Sequence, residues 1–210
     1  MIKVENVCKK YGTQTVLNHV NLEVKRGKIV GIVGRNGSGK TVLFKSICGL
    51  IPVDEGKIIV DNQVIGQDLE IPQNIGVIIE TPGFLPNYSG YKNLYYLAKI
   101  QNRIKKEDII RTLEMVGLDS RSKKNVSKYS MGMRQRLGIA QAIMENPDIL
   151  VLDEPMNGLD KEGVNEMREL FLRWKAEGKT MIIASHGAED IDILCDDVWE
   201  MDKGIATKVR

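Results

Sequence analysis

The chain has 210 residues, enough for one large domain with a substantial core. Its 30 basic residues nearly balance its 28 acidic ones, so it has no overall field of the kind that attracts nucleic acid, and no nucleic-acid partner is expected. Three scattered cysteines give no disulfide framework, which suits a reducing cytosol. No stretch approaches the roughly 20 apolar residues of a membrane span, and the N-terminus has no apolar signal region.

The first part of the chain predicts strands around one short helix. Apolar and polar residues alternate after Ile2 and again around Val20, which predicts two or three half-buried strands. The elements predicted next are a buried strand over 28–33, a short helix over 42–50, a strand from Lys57 and an apolar strand over 75–79. The last of these ends at a loop over 80–83.

The second part predicts a helical lobe and then a return to strands. Apolar residues recur at helical spacing between Tyr91 and Asn146, so we expect a lobe of about 85–146 inserted in the core. The elements predicted after it are a buried strand over 149–152, an amphipathic helix over 161–174, a buried strand over 180–184 and room only for a final strand after Lys203. No regulatory C-terminal domain is therefore expected.

A phosphate-binding loop joins the strand over 28–33 to the helix that follows. It consists of Gly34, Arg35, Asn36, Gly37, Ser38, Gly39, Lys40 and Thr41, a full match to G-x-x-x-x-G-K-[ST]. Such a turn aims backbone N–H groups and the helix dipole at one point, where polyphosphate binds. Lys40 is expected to reach the β- and γ-phosphates and Thr41 to hold Mg²⁺. The alternative, an ordinary glycine-rich turn, does not explain its place between strand and helix.

Two further groups are predicted to meet the phosphates at strand ends. Asp153 and Glu154 follow a buried strand, and ligands of open α/β sheets bind at the carboxyl ends of strands. Asp153 can orient Mg²⁺ and Glu154 can polarise the attacking water, although an acidic pair is also a common helix start. His186 ends a strand expected beside that pair, which favours a γ-phosphate contact over a surface role. His19 has no such setting and is interpreted as structural.

Ser130 lies at the predicted start of the last helix of the lobe. A serine there is usually an N-cap. The same hydroxyl, with free N–H groups and the helix dipole, can also bind a phosphate. A fold with one phosphate-binding loop has no internal use for this second site, whereas a head-to-tail partner has one.

Taken in order, these motifs resemble those of the ATP-binding cassette (ABC) ATPases over essentially the whole chain. The resemblance implies an α/β P-loop NTPase fold with a parallel sheet, an N-terminal antiparallel β subdomain and the inserted helical lobe, within a single domain of residues 1–210. It also implies a nucleotide site that includes Val42, with Tyr11 stacked on adenine and Val16 nearby. The other matches are Ser130 and Gly132 in the signature motif, residues 149–154 as Walker B, residues 157–160 as the D-loop and His186 as the switch histidine.

The family resemblance further implies how such a chain works. Two copies sandwich two ATP molecules with Mg²⁺, and the P-loop of one faces the signature motif of the other. Closure on ATP drives a separate membrane permease, which places the chain at the cytoplasmic face of a bacterial membrane. The run over 79–91 resembles the subgroup linked to bacitracin and lantibiotic self-protection, whose members are exporters.

Three residues depart from the family pattern. Met131 and Met133 replace a glycine and a glutamine of the signature, so we expect main-chain donors to survive if φ stays negative. Glu80 replaces a glutamine of the coupling loop. Its carboxylate keeps an oxygen for Mg²⁺ but adds negative charge near the phosphates, unless Glu80 is simply a solvated acid.

Other functions fit the sequence less well. Soluble cassette ATPases of translation or DNA repair typically carry two cassettes or a long coiled-coil insert, and this chain has neither. A switch GTPase is expected to carry Asn-Lys-x-Asp, which is absent. A small-molecule kinase or a purely structural role leaves Ser130 and Glu154 unexplained.

Overall fold

Two β-sheets, six α-helices and one short 3₁₀ helix, Val126–Lys128, make up the computed structural model, which describes all 210 residues. The strands are β1 Ile2–Tyr11, β2 Gln14–Val24, β3 Ile29–Val33, β4 Glu55–Val60, β5 Gln63–Val64, β6 Ile75–Ile78, β7 Ile149–Asp153, β8 Thr180–Ala184, β9 Asp197–Asp202 and β10 Ile205–Lys208. The helices are α1 Lys40–Ile47, α2 Gly90–Gln101, α3 Lys106–Met115, α4 Met131–Ile143, α5 Lys161–Ala176 and α6 Ala188–Leu194. None of these helices is long and apolar enough to span a membrane.

The N-terminal sheet is antiparallel and half-buried, as its alternating pattern predicts. Its four strands lie in the order β2-β1-β4-β5. Ile2 and Val4 of β1 pair with Val24 and Leu22 of β2, and all four side chains are buried. A period of two places these residues on one face, which packs on the core.

The larger sheet has six strands in the order β10-β9-β3-β8-β7-β6, all parallel except β10 at one edge. Both of its faces are covered. Ile149 and Val151 of β7 pack with α1 and the antiparallel sheet, whereas Leu150 and Leu152 pack with the helices of the lobe. This double burial explains why β3, β7 and β8 are continuous apolar runs without alternation.

The order of these strands positions the site. Because β3, β8 and β7 are adjacent and parallel, their carboxyl ends lie at one edge of the sheet. The P-loop leaves β3, His186 follows β8 and the acidic pair ends β7. The prediction that the strand leading to His186 lies beside the strand of the acidic pair is therefore confirmed.

The remaining differences from the predicted elements are local. Helix α1 starts at Lys40, two residues before its predicted start, and ends at Ile47 rather than at residue 50, since the chain turns at Cys48 and Gly49. The predicted helical lobe contains three α-helices, with a long loop between α3 and α4. Strand β9 and helix α6 were not predicted, because both are short and rich in acidic residues.

Candidate functional site

The P-loop backbone is folded so tightly that a side chain cannot replace its first glycine. Gly34 has φ 146°, and a Cβ there would lie 2.2 Å from the Met201 carbonyl oxygen. Lys40 is buried and its Nζ donates to the carbonyl oxygens of Gly34 at 2.6 Å and Arg35 at 3.1 Å. The Ser38 hydroxyl is buried without a hydrogen-bond partner. A loop that encloses an ammonium and an unpartnered hydroxyl fits an anionic polyphosphate.

The next residue of the loop contacts the acidic strand end. The Thr41 hydroxyl donates to Asp153 Oδ2 at 2.9 Å, so one hydroxyl oxygen and one carboxylate oxygen meet beside the P-loop. Oxygen donors of this kind are the protein ligands that Mg²⁺ prefers. The donor set therefore fits the metal predicted from the sequence.

Glu154 and His186 contact each other across the ends of β7 and β8. The His186 backbone N–H donates to Glu154 Oε2 at 3.3 Å, and His186 Nε2 lies 3.4 Å from Glu154 Oε1. The same Nε2 lies 3.0 Å from Asn36 Oδ1 of the P-loop. Glu154 has φ 50°, a left-handed conformation that is unfavourable for a residue with a Cβ and that is enriched at active sites. One imidazole thus links the carboxylate to the phosphate-binding loop.

Burial raises the pKa of the Glu154 carboxyl above its ordinary value. The His186 charge and its N–H lower this pKa, while the neighbouring Asp153 charge raises it. Desolvation disfavours the charged form of a carboxyl group and so makes it a better proton acceptor.

These groups line a cavity of about 680 Å³. Eleven of the predicted site residues border it: Val16, Asn36, Gly37, Gly39, Lys40, Thr41, Val42, Glu80, Asp153, Glu154 and His186. Gly34 and Arg35, with His186, border a smaller cavity of about 430 Å³. Ser38, within the loop, is buried.

Sequence reasoning missed Gln135 of α4 as a part of this site. Gln135 Nε2 donates to the backbone oxygens of Glu154 at 3.2 Å and Pro155 at 3.0 Å, so it ties the helical lobe to the segment that carries Glu154. Its position shortly after Ser130 on the same helix was the one sequence feature that could have suggested a place near the site. Its hydrogen-bond partners could not be predicted, because they are backbone atoms about 20 residues away in the chain.

Comparison with known proteins shows which family this chain belongs to. The family model described as ABC transporter matches residues 17–157. The chain belongs to the ABC transporter family. It is an ATP-binding subunit of an ABC transporter and an ATPase, in agreement with the resemblance of its motifs.

Several relatives of this cassette are similar along almost its whole length. It is 44% identical over 204 residues to the uncharacterized ABC transporter ATP-binding protein YybJ of Bacillus subtilis (strain 168), covering 97% of this chain and 94% of that protein. It is 42% identical over 206 residues to the bacitracin transport ATP-binding protein BcrA of Enterococcus faecalis, covering 97% and 67%. It is 38% identical over 197 residues to the lantibiotic transport ATP-binding protein SrtF of Streptococcus pyogenes, covering 93% and 84%.

Among solved structures, the cassette is similar to the dimeric structure of MJ0796, a bacterial ABC transporter cassette. The TM-score is 0.88 at 25% identity, and the match covers 100% of this chain and 99% of that one. The predicted ABC ATPase fold, with its parallel sheet, antiparallel sheet and helices, is confirmed.

In the signature segment of this ABC ATPase, Tyr129 and Met131 line the cavity, whereas Ser130 and Gly132 do not. Ser130 caps α4, its Oγ accepting the Met133 N–H at 3.2 Å, and neither methionine has a positive φ. Met131 lies over the D-loop, where a Cβ on Gly158 would be only 2.4 Å from Met131 Cγ. Within one copy, the departures from the family signature therefore leave the main-chain start of α4 intact.

Two other predicted residues, Tyr11 and Glu80, form no hydrogen bond with the Thr41–Asp153 pair. Tyr11 is 49% exposed at the end of β1, outside the residues that line the cavity, with Lys9 Nζ 5.6 Å from its ring centroid. Glu80 borders the cavity, but its Oε1 accepts a hydrogen bond from Lys45 Nζ at 2.7 Å. Their roles toward adenine and Mg²⁺ stay predictions.

Proposed function

We propose that two copies of this chain hydrolyse ATP at two shared sites and thereby drive a separate permease at the cytoplasmic face of a bacterial membrane. The observation that carries the proposal is the cluster of Lys40, Thr41, Asp153, Glu154 and His186 at one edge of the parallel sheet. A soluble cassette acting in translation or DNA repair has no comparable support among the named relatives.

In this proposal each residue has a distinct task. The P-loop N–H groups and Lys40 hold the phosphates and stabilise the negative charge that develops on them. Thr41 and Asp153 hold Mg²⁺, which neutralises phosphate charge when bound. The Glu154 carboxylate orients a water and accepts its proton, and His186 contacts the γ-phosphate while positioning Glu154.

A second copy gives Ser130 and Gly132 a role that they lack within one copy. Both lie at the start of α4 and neither lines the cavity that holds the P-loop, although their neighbours Tyr129 and Met131 do. A helix start with free N–H groups binds phosphate, so these residues complete the site of a partner. ATP that contacts both copies binds the closed dimer more tightly than it binds the separated chains. This difference in binding free energy is what drives closure of the dimer.

Steady-state ATPase activity against protein concentration tests the shared site. The wild-type rate per chain is expected to rise with concentration. In Ser130→Arg it should fall at least tenfold at every concentration, since an arginine blocks the partner's phosphate. Ser122→Arg, the same change in a loop of the same lobe, serves as the matched control and should keep wild-type activity. A rate that is independent of concentration and of Ser130 contradicts the proposal.

A groove of about 710 Å³ supports contact with a permease. It is lined by residues of β6 and α2, and the exposed side chains of Leu50, Ile71 and Ile100 border it. Exposed apolar surface of this kind marks an interaction site. Strand β6 starts at the groove wall and ends two residues before Glu80 at the nucleotide cavity, which provides a short physical connection between the permease and ATP.

The cargo we propose is a peptide antibiotic, on the strength of the bacitracin and lantibiotic transport relatives. Disrupting the gene in its host should increase sensitivity to bacitracin or to a lantibiotic. Wild-type protein should restore resistance, whereas Glu154→Gln at equal abundance should not. Unchanged sensitivity to both compounds would remove this cargo while leaving the ATPase proposal intact.

A further inference from the structure

Three strands of the antiparallel sheet bring together a set of metal-ligating side chains outside the nucleotide site. Cys8 lies on β1, His19 on β2 and Glu55 on β4. One sulfur, one ring nitrogen and one carboxylate oxygen from these residues all lie within 4.8 Å of one another. Nothing in the ATPase mechanism uses them, and sequence reasoning interpreted His19 as structural.

Irregular pairing of the strands produces this arrangement. The β1–β2 register shifts on both sides of Val7, and the β1–β4 register shifts between Glu5 and Cys8. His19 itself has φ 49°. Bulges turn side chains away from the regular alternation of a sheet and are found near functional sites. Here they aim side chains from β1, β2 and β4 at one point.

The distance between sulfur and nitrogen fits a tetrahedral metal ion. Cys8 Sγ lies 3.5 Å from His19 Nδ1. Zinc bonds of about 2.3 Å to sulfur and about 2.0 Å to nitrogen, set at a tetrahedral angle, separate these two atoms by about 3.5 Å. The side chains therefore already stand at the separation the metal requires.

The surroundings hold both side chains in place. Cys8 is buried, and its Sγ accepts the His19 backbone N–H at 3.3 Å. Asn6 Oδ1 lies 2.9 Å from His19 Nδ1, so in the metal-free protein it can accept the proton of that nitrogen. A metal bound at Nδ1 would require the other neutral tautomer, in which the single ring proton is on Nε2. His19 and Glu55 are exposed, so the ion has a path from solvent and room for a water ligand.

We propose that Cys8, His19 and Glu55 bind one zinc-type divalent ion that fastens β1, β2 and β4 together. A thiolate with an imidazole suits Zn²⁺ and excludes Mg²⁺ or Ca²⁺, which take oxygen ligands. The ion is separate from the Mg²⁺ of the ATPase site, which has only oxygen donors. Without an ion, the same residues would be no more than a hydrogen-bonded bulge.

Cobalt substitution tests the site on the full chain, free of nucleotide and Mg²⁺. Co²⁺ should produce a thiolate-to-cobalt charge-transfer absorption that saturates at one ion per chain and disappears when Zn²⁺ is added. Cobalt at Thr41 and Asp153 gives no such band, because those ligands are oxygens. Cys8→Ser should abolish the band, whereas Cys195→Ser, a matched control at another free thiol, should keep it.

Two further variants separate ligand loss from misfolding. His19→Asn retains a residue that tolerates positive φ, and Glu55→Gln changes an exposed position, so both should fold. Zn²⁺ should raise the thermal midpoint of the wild type by mass action, and each variant should bind at least tenfold more weakly. No charge-transfer band in the wild type, or a band that survives Cys8→Ser and disappears in Cys195→Ser, overturns the proposal.

Discussion

At the scale of single residues, Glu154 sets the pH dependence expected of the ATPase. Burial raises the pKa of its carboxyl, and a general base must be ionised, so turnover should fall as pH drops through that raised pKa. The His186 charge partly offsets the rise. His186→Ala should therefore move the acid limb of the kcat profile to higher pH, besides lowering kcat about 100-fold or more.

The dependence of kcat on pH, measured for the wild type and for His186→Ala, tests that movement. The substitution removes the ring but keeps Asp153 and the backbone N–H of residue 186. A limb that stays in place or moves to lower pH in His186→Ala would show that the ring charge does not act on Glu154. Arg121→Ala serves as the control, because it removes an exposed positive charge outside the cavity.

Glu80 is the residue whose role is least determined by the family pattern. Its pair with Lys45 is partly exposed, at 28% and 63%, so losing it should change stability by less than about 1 kcal/mol. We expect Glu80→Gln to shift the Mg²⁺ concentration for half-maximal ATPase activity while ATP affinity changes little. Glu23→Gln, in β2, is the matched control. If Glu80→Gln and Glu80→Ala leave both Mg²⁺ dependence and coupling to transport unchanged, Glu80 is only a surface acid.

For single residues, roles within a local motif could be predicted from the sequence, whereas contacts between residues far apart in the chain could be predicted less well. Lys40 and Thr41 belong to one local motif whose spacing dictates its chemistry. The contact between Glu154 and His186 needed only the correct assumption that β7 and β8 are neighbours. The Glu80–Lys45 pair could not be predicted, because no sequence pattern connects a helix surface to a loop 35 residues away.

At the scale of elements, the short helix α6 depends on α5 for its position. Arg168 of α5 donates to Asp190 at 2.8 Å and to Glu189 at 2.9 Å, and Asp190 accepts a bond from Ser185 at 3.3 Å. These contacts fix the chain on both sides of His186. Sequence reasoning missed α6 because its seven residues are too few for helical periodicity to show.

Arg168→Ala should consequently impair both stability and catalysis. Arg168 and Asp190 keep 11% exposure each, so the loss should be about 2 kcal/mol, below the 3–5 typical of fully buried pairs. For a domain of this size that corresponds to a fall of roughly 4–8 °C in thermal midpoint. Turnover should fall with little change in ATP binding, and Arg168→Lys should be intermediate. Calorimetry measures the thermal midpoint and steady-state kinetics measures kcat, with Arg121→Ala, at an exposed position, as the control. An unchanged kcat in Arg168→Ala would mean that α6 does not position His186.

At the scale of the whole molecule, the fold was predictable because its two sheets follow different periods. Apolar and polar residues alternate along the strands of the antiparallel sheet. They do not alternate in the parallel sheet, because it is covered on both faces. The relation between the helical lobe and the core was not predictable. It depends on contacts such as Gln135 to the backbone of Glu154, and backbone acceptors leave no trace in sequence.

The shared-site proposal makes its sharpest prediction for the assembled state. Glu154→Gln should still bind ATP but cleave it at least 100-fold more slowly, so the closed dimer should accumulate. To shift from almost no dimer to almost all dimer, ATP must favour the closed state by about 5.5 kcal/mol. Gel filtration should show a dimer of Glu154→Gln with Mg²⁺ and ATP, and a monomer with ADP.

The double variant Ser130→Arg, Glu154→Gln should stay monomeric with ATP, because its P-loop sites lack the partner's contact. Ser122→Arg in the same background should still dimerise. If Glu154→Gln hydrolyses ATP at the wild-type rate, Glu154 is not the base. If it is inactive and ATP-bound yet monomeric at all concentrations, the α4 start does not bind the partner's phosphate, and closure must be driven by the permease instead of by ATP bridging two cassettes.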